Sequence, residues 1–362
     1  MFGVSSGCAQ YFTGGKKMNR SIKNWMWVTP GAEPLTDDDW RRRLDHWRQA
    51  GIDAILPEVF NNHTAHYGSQ HLPVASEWLE QLLPIARAAG IEVHAWIHSM
   101  ACNIEQVHDE HPEWFNVNGL GESSWDKPAY VGYYRFFCPS RPGVHEFLKR
   151  RVAELAAYGE LEGIHLDYIR QPDVILASSL QPKYGIVQDR EYPQYDYCYC
   201  EVCRNGFKDQ FGTDPLDLED PSANQDWRQF RYNLVTHIVN NELIPAGRER
   251  GKLMTAAVFP NWQHVRQQWG VWHLDAVLPM LYNSFYDEDV SWIGEQVVKG
   301  RAGLKSDIPL YSGLYLPGLT PEELASAVEV SLKAGAAGVS LFAAGDMTDQ
   351  YWTLFETAVS QE

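Results

Sequence analysis

The stretch GIHLDYIRQP (Gly163–Pro172) decides the fold, because it combines a short apolar run with polar residues at fixed positions. Side chains two residues apart on a β-strand share a face, so His165 and Asp167 point to the same side and the aliphatic residues beside them to the other. A helix is predicted over residues 143–158, just before this stretch. The order predicts a strand with one face against a helix layer and the other carrying polar groups.

The same alternation of apolar runs and helical stretches extends in both directions along the chain. The apolar runs predict eight strands, at residues 25–29, 54–59, 91–97, 163–167, 253–259, 276–281, 309–313 and 338–342. The stretches between them predict helices over 36–50, 76–89, 143–158, 226–250, 290–301 and 320–333, with a closing helix near the carboxyl end. Eight strands with helical material between them are the count of a (β/α)8 TIM barrel.

One barrel over residues 22–362 is therefore the predicted architecture, with a long loop after the fourth strand at about 171–221. The alternative, a doubly wound sheet, would carry a glycine-rich phosphate loop after the first strand, where this sequence has none. Barrel enzymes build their sites from the loops at the carboxyl ends of the strands. Functional residues are expected at those strand ends.

The composition restricts the function classes. A net charge of −17 argues against a nucleic-acid-binding surface, which needs a basic stripe. No apolar run approaches the length of a membrane span. The chain contains 14 Trp, 18 Tyr and 14 Phe, and flat rings are suited to stacking on sugar faces. A globular protein with a carbohydrate partner is favoured, and the oligomeric state is left open.

Residues 1–21 differ from the rest and are predicted to be a disordered leader or signal remnant. Residues 5–8, which end in Cys8, are similar to the end of a bacterial lipoprotein signal, but the basic and apolar regions of such a signal are missing. Two expectations follow: an exported protein that is lipid-anchored through Cys8, or a cytoplasmic protein that starts near Met18.

Two carboxylates lie at predicted strand ends. Asp167 ends the fourth strand, and an Asp directed into a barrel mouth is costly unless it is paired or used in chemistry. The structural alternative is an Asp that pairs with Arg170. Glu58 ends the second strand in phase with Leu56 and is the only Glu at a strand end. These two residues are the candidate catalytic pair.

Other polar and aromatic residues at the strand ends are candidates for substrate binding. On the third strand His94, Trp96 and His98 share a face, and such spacing suits either a metal on paired imidazoles or, as favoured here, hydrogen bonds and an aromatic platform for a substrate. The full set of predicted substrate-binding residues is Trp27, His94, Trp96, His98, His165, Tyr168, Arg170, Tyr282, Asn283, Tyr315 and Asp346. Arg170 could contact an anionic sugar or orient Asp167.

Six segments taken in order resemble the family-10-like bacterial glycoside hydrolases, a TIM-barrel group. They are NWMWVTP, DAILPEVF, VHAWIH, EGIHLDYIRQP, AVLPMLYN and GVSLFAAGD, spread over roughly residues 22–345. The resemblance implies a barrel glycosidase, active on an oligo- or polysaccharide, with Asp167 at the centre of the site. That group often has Gln where this chain has Glu58, so the role of Glu58 does not come from the resemblance.

Hydrolysis of a glycosidic bond needs two carboxyls, one as acid and one as nucleophile or base. Asp167 is predicted to be the nucleophile or base and Glu58 the acid, with Asp346 and Glu105 as substitutes for that acid. No catalytic cofactor is required. A catalytically silent carbohydrate-binding barrel is the first alternative, and a metal-dependent hydrolase that uses His94, His98 and Asp167 is the second.

A cluster of cysteines has the spacing of a metal site. Cys198, Cys200 and Cys203 form C-x-C-x-x-C, and three thiols within six residues cannot easily pair as disulfides. Cys138 or Cys102 could supply the fourth ligand, and free or disulfide-bonded cysteines are the alternative. A similar arrangement occurs in glycoside hydrolase family 42, and by that resemblance Cys138 joins the other three around a structural Zn²⁺ that pins the long loop.

Overall fold

The computed structural model describes residues 22–31 and 34–360, and the predicted leader with Cys8 lies outside them. Eight strands follow in chain order: β1 Trp25–Val28, β2 Ala54–Phe60, β3 Glu92–His98, β4 Gly163–Asp167, β5 Leu253–Val258, β6 Ala276–Pro279, β7 Ser312–Tyr315 and β8 Val339–Phe342. The helices are α1 Asp37–Gln49, α2 Trp78–Ala89, α3 Glu105–Glu110, α4 Pro142–Ala156, α5 Glu201–Phe211, α6 Gln225–His237, α7 Ile244–Arg248, α8 Val290–Gly303, α9 Pro321–Lys333 and α10 Asp349–Ser360. Within these described residues no helix has both the length and the apolar character that crossing a membrane requires.

All strand pairs are parallel, in the order β6-β5-β4-β3-β2-β1-β8-β7. The ring is completed between β6 and β7 by two bridges, Val277 with Leu310 and Met280 with Gly313. A side chain at Gly313 would place its Cβ 2.6 Å from the carbonyl oxygen of Pro279, so only glycine allows this approach. The predicted (β/α)8 barrel is confirmed.

Two predicted elements differ in detail. β7 begins at Ser312 rather than at residue 309, although Tyr311 already donates its N–H to Val277. The helix predicted over 226–250 is interrupted by a π-helical turn, Ile238–Leu243, before α7. Pro245 explains the interruption, because it has no N–H to donate and its ring displaces the carbonyl one turn earlier.

Apolar side chains fill two layers. One lies between the strands and the surrounding helices, and the other fills the barrel interior, where Trp25 and Trp27 pack with Leu56, Trp96 and Leu278. Alternate residues of each strand face inward, which places the ends of the inward rows at the mouth formed by the carboxyl ends of the strands.

The long segment after β4 is held to the barrel by buried charges. Asp196 is fully buried and accepts hydrogen bonds from the guanidinium groups of Arg231 and Arg266 and, at 2.6 Å, from the hydroxyl of Tyr199. Burial alone would raise the pKa of Asp196, but the two guanidinium groups hold it at about 2. The loop is therefore anchored by ion pairs as well as by apolar contacts.

Candidate functional site

A cavity of about 480 Å³ opens at the carboxyl-terminal mouth of the barrel. Its wall is mostly aromatic, with charged groups at the base and rim. The lining residues are Thr29, Glu58, Trp96, His98, Tyr130, Val131, Tyr133, Tyr134, Asp167, Tyr168, Arg170, Leu176, Leu180, Lys183, Tyr184, Phe259, Met280, Tyr282, Phe285, Tyr286, Tyr315 and Phe342. Apolar walls with a few convergent polar groups are typical of a small-molecule site.

Asp167 is the buried carboxyl of this cavity, with 7% of its surface exposed. Its Oδ2 accepts a hydrogen bond from Trp96 Nε1 at 3.0 Å, and its Oδ1 accepts one from the backbone N–H of Tyr168 at 2.6 Å. Burial raises the pKa of Asp167 although His98 and these two donors act in the opposite direction. The carboxyl is held in a fixed orientation and is a stronger base than an exposed Asp.

Glu58 lines the same cavity from β2 and faces His98 of β3. Glu58 Oε1 lies 3.1 Å from His98 Nε2, and both side chains are mostly buried. In the strand register Glu58 is paired with Trp96, and His98 is paired with Asp167. The imidazole of His98 therefore lies level with Asp167 along the strands and in contact with the carboxyl of Glu58.

A chain of amides fixes the hydrogen-bonding roles of His98. Asn103 Nδ2 donates both to Tyr133 O (2.9 Å) and to Asn62 Oδ1 (3.1 Å), so the amide oxygen of Asn62 is an acceptor. Asn62 Nδ2 then donates to His98 Nδ1 at 3.3 Å. Because Nδ1 accepts, the neutral ring carries its proton on Nε2, the nitrogen that lies 3.1 Å from Glu58 Oε1.

Tyrosines dominate the wall and come from separate segments. Tyr168 follows Asp167 with a φ of +49°, a left-handed conformation that is unusual for a tyrosine, and its ring lies 4.4 Å from that of His98. The segment 130–134 contributes three tyrosines, and the 3-10 helix Ser178–Tyr184 contributes one more. Such rings offer flat apolar faces together with hydroxyl groups.

Arg170 lines the cavity but pairs with a different acid from the one expected. Its Nη1 lies 3.0 Å from Asp173 Oδ2, and its guanidinium stacks on the rings of Tyr168 and Phe259. The alternative that Asp167 is a structural ion-pair partner of Arg170 is not realised, because Arg170 forms that ion pair with Asp173. Asp167 is held instead by Trp96 and a backbone N–H.

The structure brings six of the predicted binding residues to the cavity: Trp96, His98, Tyr168, Arg170, Tyr282 and Tyr315. Three others lie deeper in the barrel. Trp27 is 1% exposed and donates its Nε1–H to Ser340 Oγ, His94 packs edge-on against Trp25, and His165 bonds Thr255 Oγ1 at 2.8 Å. These three fill the interior beneath the cavity rather than line sugar subsites.

Three further candidates lie away from the cavity wall. Asn283 is buried and donates to the backbone of Glu288. Asp346 is exposed and accepts from Ala343 N within its own turn. Glu105 is exposed in the first turn of α3. The two substitute acids, Asp346 and Glu105, are therefore not placed beside Asp167.

The alternative metal site of His94, His98 and Asp167 is not assembled. His94 lies at the start of β3 in the sealed interior, whereas His98 lies at its end in the cavity. Among residues 22–31 and 34–360, the groups whose ligand atoms converge are one of four cysteines and one of two histidines with a glutamate, and neither includes these residues. A catalytic metal on this triad is therefore not supported.

Many residues of the cavity wall were not predicted from the sequence: Tyr130, Tyr133, Tyr134, Lys183, Tyr184, Phe259, Phe285 and Tyr286. The amides of Asn62 and Asn103 were not predicted either. The only signal in the sequence was the clustering of tyrosines in loops. A loop residue's contacts depend on how the loop folds back over the barrel, and spacing does not predict this.

The four cysteines predicted to act together do converge. Cys138, Cys198, Cys200 and Cys203 are all buried, and their sulfur atoms lie within 4.8 Å of one another. Cys138 Sγ is 3.4 Å from Cys200 Sγ and 3.5 Å from Cys203 Sγ. Sulfurs around one tetrahedral zinc lie roughly 3.8 Å apart, given Zn–S bonds of about 2.3 Å. The geometry is compatible with a metal site.

The surroundings of this cluster fit thiolates. Backbone N–H groups of Val117 and Ser140 point at Cys198 and Cys138, each at 3.4 Å. All four thiols are free, as is Cys102, whose burial raises its pKa to about 11 and which lies outside the cluster. The alternative that these residues form disulfides is not realised, and Cys138 rather than Cys102 completes the set.

Solved structures similar to this chain are glycoside hydrolases. The β-galactosidase of the psychrophilic Marinomonas ef1 has a TM-score of 0.65 at 12% identity, over 94% of this chain and 59% of its own. A family 42 β-galactosidase from G. stearothermophilus has a TM-score of 0.63 at 13% identity, over 95% and 57%. The catalytic domain of a Paenibacillus polymyxa β-amylase has a TM-score of 0.65 at 12% identity, over 94% and 99%.

These likenesses show a TIM-barrel fold shared with glycoside hydrolases. The chain spans less than two thirds of the length of the β-galactosidases that it matches. No protein-family model and no curated protein matches the sequence.

Proposed function

We propose that this protein is a glycoside hydrolase in which Asp167 and Glu58 are the catalytic carboxyls. The observation that carries the proposal is the placement of Asp167. It is a buried carboxyl at the end of β4, oriented by two N–H donors and opening into an aromatic cavity at the catalytic end of a barrel. Neighbours with this fold are glycosidases that act on sugars, and tyrosine and tryptophan faces suit a pyranose ring.

Asp167 is assigned as the general base. A catalytic base is most effective when its pKa approaches the working pH, and burial raises the pKa of Asp167 in that direction. Glu58 is assigned as the acid, because it is the other carboxyl that lines the cavity. The His98 ring, held by Asn62, lies beside it with Nε2 3.1 Å from Glu58 Oε1.

The separation of the two carboxyls decides between inversion and retention of the anomeric carbon. β2 and β4 are separated by β3, and two strand spacings amount to roughly 10 Å between backbones, from which the side chains of Glu58 and Asp167 converge on the cavity. Inverting enzymes place a water between carboxyls about 6.5–9.5 Å apart. Retaining enzymes need a closer pair, about 5–5.5 Å apart.

The test is a survey of hydrolysis by the full chain, with aryl glycosides and oligosaccharides of several sugars as probes. Hydrolysis of one sugar class is expected, and proton NMR of the first product should show whether the anomer is inverted or retained. Sugar binding without turnover by the parent, unchanged in Asp167→Ala, would instead identify the catalytically silent carbohydrate-binding barrel.

The cysteine cluster is assigned a structural Zn²⁺. Four thiolates close the coordination sphere and leave no position for a reacting water, so the metal would pin the loop that carries Cys198–Cys203 to the segment before α4. The likeness to a family 42 fold is consistent with this role.

Cys200→Ser should lower the free energy of unfolding more than it changes turnover. Structural zinc contributes folding free energy, about 10–16 kcal/mol in zinc-finger peptides, so a loss of several kcal/mol is expected. Metal analysis of protein purified without added zinc should give one equivalent in the parent and less in the variant. A Cys102→Ser variant, altered at a buried cysteine outside the cluster, is the control. A metal-free parent that keeps its full stability would exclude the zinc.

A further inference from the structure

A second group of potential metal ligands lies on the helices outside the strands, and none of its residues lines the tyrosine-lined cavity. It consists of His145 on α4, His237 at the end of α6, and Glu242 in the π-helical turn that follows. One ligand atom from each of the three lies within 4.8 Å of the others. Two imidazoles and a carboxylate are a donor set that first-row transition ions prefer.

The π-helical turn is what brings two of these ligands together. His237 and Glu242 are five residues apart, and in a regular α-helix residues at that spacing point roughly 140° away from each other. Here the N–H of Ile244 bonds the carbonyl of Val239, five residues back, which widens the turn. His237 Nε2 consequently lies 3.8 Å from Glu242 Oε1, close enough for one ion to bind both.

His145 has the hydrogen bond that metal-bound histidines usually have. Its Nε2 lies 2.8 Å from the carbonyl oxygen of Pro139, which can only accept, so Nε2 carries the proton and Nδ1 carries the lone pair. A second ring nitrogen bonded to a backbone carbonyl fixes both the tautomer and the ring orientation of a ligand histidine.

We propose that His145, His237 and Glu242 form a binding site for a divalent transition metal ion such as Zn²⁺ or Ni²⁺, which clamps α4 to the α6–α7 junction. Three protein ligands leave positions for water, and His237 is half exposed, so the ion can exchange with solvent. Lys149 lies 3.6 Å from the second oxygen of Glu242 and opposes the ion by charge. The affinity is therefore limited by Lys149.

The experiment is calorimetric titration of the full chain with Zn²⁺ and, separately, Ni²⁺. The parent should bind one equivalent more than His237→Ala. The variant keeps only two of the three ligands, so its affinity at this site should be at least about tenfold lower than that of the parent. Lys149→Gln should bind the same ion more tightly than the parent, because the competing charge is gone. His237 is exposed, so its replacement leaves the fold intact, as circular dichroism should show.

His273→Ala, which removes another exposed histidine, is the matched control and should bind like the parent. Equal binding by the parent and His237→Ala would overturn the proposal. So would the loss of an equivalent in His273→Ala, or an affinity unchanged by Lys149→Gln. None of these outcomes depends on glycosidase activity, so the proposed hydrolysis stands or falls separately.

Discussion

The inward faces of β3 and β4 carry two polar layers that look alike in sequence and differ in role. The deep layer contains His94 and His165, which are fully buried, and burial lowers the pKa of both so that they remain neutral. The mouth layer contains His98 and Asp167, which open into the cavity. His94 and His165 complete the packing beneath the cavity, whereas His98 and Asp167, at the ends of the same inward rows, open into it.

The two layers differ in exposure because different side chains cover them. Trp27 lies over His165, with ring centroids 4.6 Å apart, and the indole of Trp96 lies against Trp27. The ring of Trp96 lines the cavity, and the Nε1–H of Trp96 donates to Asp167. Trp96 is therefore the boundary, with the packed interior on one side and the cavity on the other.

The largest expected effect is on the mouth layer. Glu58→Gln keeps the shape of the side chain and removes its proton-donating capacity, so turnover should fall about 10²–10⁴-fold for substrates with poor leaving groups. For aryl glycosides with acidic leaving groups the loss should be much smaller. Steady-state kinetics on both substrate types is the measurement, and equal losses on both would rule out Glu58 as the acid.

A change in the deep layer should reduce stability instead. In Gly163→Ala the new Cβ would lie 2.2 Å from His94 Nδ1 and 2.7 Å from Leu253 O, so the barrel must shift at a cost of about 1–3 kcal/mol. Urea unfolding should report this loss, while kcat per folded molecule stays near the parent value. Gly159→Ala, where nothing lies within 4 Å of the added carbon, is the matched control. A stable Gly163→Ala protein would contradict the tight packing of this layer.

A smaller effect is expected from the amide that orients His98. Asn62→Asp replaces a donor by an acceptor, so the imidazole must carry a proton on Nδ1 instead of accepting there. Asn62 has a φ of +71°, a conformation that Asp also tolerates, so the backbone should persist. We expect turnover to fall about tenfold. Nitrogen-15 NMR should show the changed proton position, and an unchanged tautomer would exclude Asn62 as a positioning residue.

Residue spacing predicted the barrel, the strand carrying Asp167 and the Cys198–Cys203 motif, because each depends on short-range periodicity or on a compact motif, whereas Cys138 was assigned by the family 42 resemblance. The pairing of Arg170 with Asp173 was missed because both follow β4 in an irregular segment. The roles of Asn62 and Asn103 were missed for a similar reason. Their hydrogen bonds join loops that are distant along the chain, and alternation along a strand carries no information about such contacts.

The same limit explains the misplaced binding residues. Period-2 alternation correctly put Trp27, His94 and His165 on inward faces, but it does not measure depth. Depth depends on which side chains cover a residue: His165 is in register with the cavity-lining Trp96, but the ring of Trp27 packs against it. The residues that line the cavity could be separated from those beneath it only once that packing was known.

Asp167→Asn is the measurement that tests the central claim most directly, with turnover and thermal stability followed in the same protein. Burial raises the pKa of Asp167, so the ionised carboxylate lowers the free energy of unfolding at neutral pH. This destabilisation disappears as the pH falls below the ordinary Asp range, because the carboxyl is then protonated in both the folded and the unfolded state. Asn removes that charge, so stability at pH 7 should equal or exceed that of the parent.

Turnover should nevertheless fall by at least about 10³-fold while sugar binding persists, as expected for a group that acts in the transition state. In the parent, the acid side of the pH–rate profile should report a group that titrates above the ordinary Asp pKa of 3.8. A variant that is as stable as the parent and almost inactive would support Asp167 as the catalytic base. An Asp167→Asn protein that retains near-parental turnover would contradict it.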